Sequence, residues 1–287
     1  MRIAVLGGGQ VATAVSKAVP AGHQIISLAR SQLDIVDDEA VARVVADVEP
    51  DWIVNAAAYT AVDLAEDQPD QAYAVNDSAV ASIARAAARH ACRLLHLSTD
   101  FVFDGSANRA YGVTDQTNPL SVYGASKLNG ERHVTAEGRA GIVLRTSWVY
   151  AASGKNFVLT MLRLMREKPT VSVVCDQIGT PTAAHGLAEA IWACIDRSVA
   201  PGIYHWADLG VASWYDFAVA VQEEAHARGL LAGIVPILPI KTAAYPTRAR
   251  RPAFSVLDTA PTQQLLGVPN HHWRHNLRAV LDELRTA

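Results

Sequence analysis

The apolar run Ile3-Ala-Val-Leu6 passes directly into Gly7-Gly-Gly-Gln-Val-Ala12, and this junction constrains the fold more than any other segment. A short buried strand that ends in glycines and opens a helix is the G-x-G-x-x-G/A pattern in the context that gives it meaning. Glycines let the backbone approach a pyrophosphate, and a helix N-terminus offers it free amides and a partial positive charge. A tight turn without a ligand would use the same glycines. The strand before and the helix after favour a dinucleotide site that includes Gly7.

Apolar runs at 3–6, 24–28, 52–55, 93–97 and 142–145 alternate with amphipathic stretches. They predict an α/β chain with a doubly wound parallel sheet, a Rossmann arrangement with ligands gathered at the carboxyl ends of the strands. Residues 1–150 form the expected dinucleotide-binding domain. Residues 151–287 are expected to form mostly a second, smaller substrate-binding domain, with the helix near 183–196 packing back on the first. In that half the pattern predicts helices at 157–166, 214–228 and 273–284, strands at 171–174 and 203–206, and a proline-rich stretch at 236–261 with little periodicity. Trp273, Leu277, Val280, Leu281 and Leu284 recur at helical spacing and are expected to dock the last helix on the core.

The chain has 287 residues, half of them hydrophobic, which is enough for a large core. Net charge is −3 and no basic stripe with interleaved aromatics occurs, which argues against a nucleic-acid partner. No apolar run approaches the roughly 20 residues that span a bilayer, so no membrane partner is expected. Cys92, Cys175 and Cys194 are few, odd in number and without metal-ligand spacing, which suits a reduced cytoplasm. His271, His272 and His275 lie close in sequence but lack a nearby cysteine or carboxylate, and they are read as surface or helix-start residues. No metal site is expected.

Chemistry is suggested by Tyr123-Gly-Ala-Ser-Lys127, a short way after Ser98-Thr99-Asp100. On a helix over 120–134, four-residue spacing stacks Tyr123 and Lys127 on one face. A neighbouring ammonium lowers the pKa of a phenol and makes it a usable general acid. Thr99, at the end of a strand, can hydrogen-bond the same carbonyl oxygen. An exposed helix with an ordinary tyrosine is the alternative. At the end of the second strand stands Arg30, where NAD-preferring proteins carry an acid, so NADPH is the expected cofactor and NADH the second option. Asp34 lies where it reaches either an adenine edge or a turn. Arg248, Arg250 and Arg251 form a basic cluster suited to a diphosphate or to solvent, with Arg251 the leading substrate contact.

With these segments in view, the chain resembles the extended short-chain dehydrogenase/reductases, and among them the dTDP-4-dehydrorhamnose reductases. The resemblance runs through Asn55-Ala-Ala-Ala-Tyr-Thr-Ala-Val-Asp63, Ser98 to Phe103, Tyr123 to Lys127, Arg145-Thr-Ser-Trp-Val-Tyr150, Asn156-Phe157, Asp176-Gln177 with Thr180-Pro-Thr182, and Ala244-Tyr-Pro-Thr247 with Arg251-Pro252. It implies a triad of Thr99, Tyr123 and Lys127, with Tyr123 the proton donor and Lys127 also on the nicotinamide ribose. It further implies that Gly9, Gln10, Val11, Asp34, Ile35, Ala58, Tyr59, Thr60 and Leu97 line the cofactor. Thr99, Asp100, Trp148 and Asn156 would meet a dTDP-sugar substrate. The implied reaction is NADPH-dependent reduction of the C4 ketone of dTDP-4-dehydro-L-rhamnose. Another dTDP-4-keto sugar, or a non-catalytic NADP-binding regulatory role, are the alternatives. Trp148 is read as a flat wall for the sugar or as an indole packed between domains. The glycine turn is one residue shorter than the family's and ends in Ala12, and Phe101 stands where a tyrosine is common. Some members bridge subunits through magnesium held partly by a glutamate in the first helix. That helix carries Ala14 here, so a magnesium-bridged dimer is not expected, and the sequence leaves the oligomeric state open.

Overall fold

Strands buried on both faces read as continuous apolar runs, and the computed structural model, which describes residues 1–136 and 141–286, shows how this chain uses them. Six parallel strands form the central sheet: β1 (Arg2–Leu6), β2 (Gln24–Leu28), β3 (Trp52–Asn55), β4 (Arg93–Thr99), β5 (Gly141–Thr146) and β6 (Gly202–His205). Their spatial order is β6-β5-β4-β3-β1-β2. Successive side chains point to opposite faces. Ile3 and Val5 therefore enter one core with Trp52, Leu95 and Leu144, while Ala4 and Leu6 enter another with Ile53, Leu94 and Val143. The expected strands 3–6, 24–28, 52–55, 93–97 and 142–145 coincide with β1 to β5 to within two residues at each end. The run expected at 203–206 is β6, hydrogen-bonded to β5 at the sheet edge.

Five helices flank this sheet: α1 (Gln10–Lys17), α2 (Asp38–Val48), α3 (Ala79–Arg89), α4 (Val122–Thr135) and α5 (Ala184–Asp196). α1 and α5 cover the first face, where the Trp192 indole N–H donates to Val15 O at 3.0 Å. α2, α3 and α4 cover the second. The helix expected at 120–134 begins only at Val122, because the Ser121 side chain caps it by accepting from the Gly124 amide. Gly124 permits the close seating of α4 on the turn after β4, since a Cβ there would run into the Phe101 carbonyl oxygen.

The remaining residues build a second core. Helices Phe157–Glu167, Trp214–Ala227 and Trp273–Thr286 enclose Tyr150, Met161, Phe217 and Val221. The last helix docks through Trp273, Leu277, Val280 and Leu281, with Leu284 partly buried beside them. The stretch 236–261 holds a strand that its weak periodicity concealed. Ile237–Ile240 pairs in parallel with Val171–Val174 in a two-stranded sheet, whose open edges tolerate Pro239. Cys92 and Cys194 are buried free thiols, each pushed up to about 12 by burial.

A charged pair lies buried between the central sheet and α4. Arg145 on β5 grips Glu131 on α4 with two hydrogen bonds, Nε to Oε1 at 2.9 Å and Nη2 to Oε2 at 2.7 Å, and each side chain is 2% exposed. Ser98 Oγ also donates to Glu131 Oε1 at 2.5 Å. Removing one partner leaves a buried charge without compensation. Glu131→Ala is expected to lower unfolding stability by roughly 3 to 5 kcal/mol, measured by urea denaturation followed by circular dichroism.

Candidate active site

A cleft of about 730 Å³ opens at the carboxyl ends of the strands. Strand order reverses between β1 and β3, and such a switch point is where doubly wound sheets bind ligands. The glycine turn closes its floor. Gly7 has φ +113°, its amide donates to Leu28 O at 2.9 Å, and a Cβ there would lie 3.0 Å from Ala57 N. Gly9 caps α1 without a side chain, so the first amides of that helix are left for a ligand. Gly7, Gly9, Gln10 and Val11 all line the cleft. So do Arg30, Asp34 and Ile35 beyond β2, and Ala58, Tyr59 and Thr60 beyond β3. Arg30 is largely exposed and stands 3.9 Å from Asp34. The donor set of glycine turn, helix N-terminus and Arg30 fits a dinucleotide carrying an extra phosphate.

Tyr59 is fixed by a residue the sequence reading missed. Asn76 takes the Tyr59 amide on Oδ1 at 2.9 Å and returns Nδ2 to Tyr59 O at 3.1 Å and to Ser126 Oγ at 3.1 Å. It sits in a π-helical turn, Ala74–Ser78, a local widening that tends to accompany functional sites. A single asparagine inside a helical pattern gave no signal of this.

On the opposite wall the structure brings together Leu97, Thr99 and Asp100 from the end of β4 with Tyr123 and Lys127 from α4. The Tyr123 ring packs edge-on against Phe101. Burial pushes its phenol up to about 12, with the Thr99 hydroxyl drawing it part of the way back and the Asp100 charge pushing it further up. Burial dominates the shift and Lys127 is not among the groups that move it, so the expected lowering by Lys127 is not found. Lys127 is itself only 2% exposed, and burial brings its amine down to about 8, with Glu131 one turn on opposing the fall. Its Nζ donates to Leu97 O at 2.6 Å and lies 3.2 Å from His96 Nε2. Asp100 is also buried, and that pushes its carboxyl up to about 7, held back by hydrogen bonds from Ser255 and Thr99. Its Oδ2 has no protein partner among the described residues.

Trp148 lines the cleft and also packs between the two cores. Its ring stacks on Trp214 at 3.5 Å between centroids with 5° between planes, and its backbone has φ +45°. The stack on Trp214 is the packing that one sequence reading expected, and the indole also borders the cleft. Asn156 lies just outside the lining. It caps the helix Phe157–Glu167 and donates to Gln10 Oε1 and Ala151 O, each at 2.8 Å, which ties the second core to the glycine turn. Arg251 also lies outside the lining, in a two-pronged pair with Asp63 at 3.1 and 2.7 Å. Arg248 pairs with Asp67. The His271 ring packs at a tilt against His275, and His272 Nδ1 accepts from the Arg274 amide.

A family model described as the RmlD substrate binding domain matches residues 1–286. The chain belongs to this family. It is 40% identical over 287 residues to the dTDP-4-dehydrorhamnose reductase of Aggregatibacter actinomycetemcomitans, covering 97% of this chain and 98% of that protein. It is 41% identical over 289 residues to the dTDP-4-dehydrorhamnose reductase of Burkholderia thailandensis, covering 96% of each. A solved dTDP-4-dehydrorhamnose reductase from Bacillus anthracis, in complex with NADP, matches with a TM-score of 0.92 at 33% identity over 98% of this chain and 99% of that one. The RmlD family thus accounts for the whole described fold, both cores included. Since Arg30 lines the cleft beyond β2 with its guanidinium exposed, Arg30→Ala is expected to weaken NADPH binding by roughly tenfold and leave NADH binding unchanged. Titration of intrinsic fluorescence with each cofactor checks this.

Proposed function

We propose that the protein is an NADPH-dependent reductase that converts the C4 ketone of dTDP-4-dehydro-L-rhamnose into the alcohol of dTDP-L-rhamnose. The observation that carries this reading is the convergence of Thr99, Tyr123 and Lys127 on the cleft floored by the Gly7 turn. The relatives named above, matched along nearly their whole length, support the substrate and the cofactor. NADH is the weaker alternative donor. When bound, the nicotinamide supplies the hydride, and the protein supplies position and a proton.

Tyr123 gives that proton to the carbonyl oxygen as it becomes a hydroxyl. A phenol held up to about 12 stays loaded across the neutral range, which suits a donor better than a phenolate would. The ammonium of Lys127 then stabilises the negative charge left on the phenol oxygen, a charge interaction strengthened by the low local dielectric. Thr99 Oγ1 accepts from the Phe101 amide at 3.2 Å and donates to Asp100 Oδ1 at 3.1 Å, so its proton is turned to the carbonyl only on leaving Asp100. Asp100, with one oxygen free of protein partners, accepts a sugar hydroxyl. Trp148 offers a wall made rigid by its stack on Trp214. In this reading Asn156 acts by holding Gln10 in place. Arg251 meets the substrate diphosphate only by releasing Asp63.

No described helix is long and apolar enough to cross a membrane. An NADPH-dependent step and three free cysteines agree with a cytoplasmic setting. Residues 1–150 hold the cofactor in this proposal, and residues 151–287 supply most of the sugar side.

Incubation with NADPH and dTDP-4-dehydrorhamnose is expected to bleach the reduced-nicotinamide absorbance, with the sugar product identified by mass spectrometry. No bleaching by the wild-type protein would sink the reading. Tyr123→Phe is expected to lower kcat by roughly 100-fold or more while NADPH still binds. The pH dependence follows from Lys127: its charge is present below about 8 and lost above it. Accordingly kcat/KM for NADPH, which reports the free enzyme, is expected to fall by roughly tenfold per pH unit above that value.

A further inference from the structure

The reaction as described uses nothing beneath Lys127, yet the structure places a second titratable group there. His96 lies in the middle of β4 and is fully buried, with apolar Leu94, Leu95 and Leu97 as its strand neighbours. An aliphatic side chain would serve packing at that position. Instead both ring nitrogens face polar groups. Nε2 is 3.2 Å from Lys127 Nζ, and Nδ1 is 3.1 Å from Asn55 Nδ2, the carboxamide of the register partner on β3. Burial and the neighbouring Lys127 charge both drive the His96 pKa well below its ordinary value, so the imidazole is neutral. A neutral imidazole has one accepting nitrogen, whereas an ammonium has three donors and accepts nothing.

We propose that His96 is a positioning residue for Lys127, its Nε2 serving as the second fixed acceptor of the ammonium beside Leu97 O. Two of the three N–H bonds are then anchored inside the sheet, and the third is directed into the cleft where Tyr123 stands. With Nε2 accepting, the ring proton is on Nδ1. The structure sets Asn55 Nδ2 toward that nitrogen and Oδ1 on the Ala57 amide at 3.2 Å; the carboxamide meets the ring proton with oxygen when turned end for end, at the cost of the Ala57 bond. In the unturned setting Nε2 carries the hydrogen and faces only a neutral amine. The charged and titratable groups around this pair are few. Lys127 faces His96 from α4, Glu131 bears on Lys127 from the next turn and is itself paired with Arg145 of β5, and Asp100 bears on Tyr123 from the end of β4.

The kinetic consequence rests on the reductase reading; the structural one does not. His96→Leu removes an acceptor, so Lys127 loses its proton more easily. The alkaline limb of kcat/KM for NADPH is expected to move down by about one pH unit, with kcat lowered roughly tenfold. His96→Gln, which can present an oxygen near the Nε2 position, is expected to restore most of the limb. A histidine that merely packs would alter stability and leave the limb in place, so an unmoved or upward-shifted limb in folded His96→Leu overturns the proposal. Independently of activity, nitrogen-15 spectra of histidine-labelled wild-type protein with NADP bound, recorded below the alkaline limb, are expected to show His96 protonated on Nδ1 alone. A proton on Nε2 there overturns the proposal even if His96→Leu fails to fold. Failure of wild-type turnover would sink the reductase reading, while the spectra would still decide the placement of the ammonium.

Discussion

Burying an amine beneath a ligand cleft is costly unless its hydrogens are matched, and the housing of Lys127 organises much of the first domain. The Leu97 carbonyl and the His96 ring come from β4, and the carboxylate one turn further along α4 is itself locked by Arg145 from β5. These contacts require α4 to lie hard against the sheet, which Gly124 permits at its first turn. The position of Tyr123 is then a consequence. It lies one helical turn before Lys127 on the same face, at the height where the strands end.

The sheet supplies the other half of the arrangement. A parallel order that reverses between β1 and β3 leaves a gap above the first strand, and the turn after β1 fills its floor with backbone rather than side chains. The second core closes over the gap from the far side. Asn156 reaches Gln10, and Trp214 lies on Trp148. The glycine turn is therefore built from local sequence, whereas the bracing of the cleft depends on contacts between distant positions, 146 apart for Gln10 and Asn156.

That difference explains what could be read from the sequence. β1 to β5 were legible because strands covered on both faces leave unbroken apolar runs bounded by turns. The glycine turn and the Tyr123 to Lys127 spacing were legible because both are local patterns. The direction of the Tyr123 shift was not, since four-residue spacing reveals the neighbouring amine but not the burial that sets the shift. Asn76, His96 and Glu131 belong to no local pattern, and their roles arise only when separate elements meet. Arg251 could be recognised as a candidate anion contact, but its partner Asp63 lies 188 positions away.

The same ion pair carries a consequence for how the two halves respond to their surroundings. Asp63 and Asp67 sit on one short helix of the first half, and Arg251 and Arg248 reach them from the proline-rich segment of the second. Attraction between partly exposed charges fades as dissolved ions crowd around them, while stacked indoles hold by dispersion and exclusion of water. The join between the halves is thus of mixed character: brine loosens the exposed ion pairs, Lys17 with Glu283 among them, and leaves the indole stack of Trp148 on Trp214 indifferent.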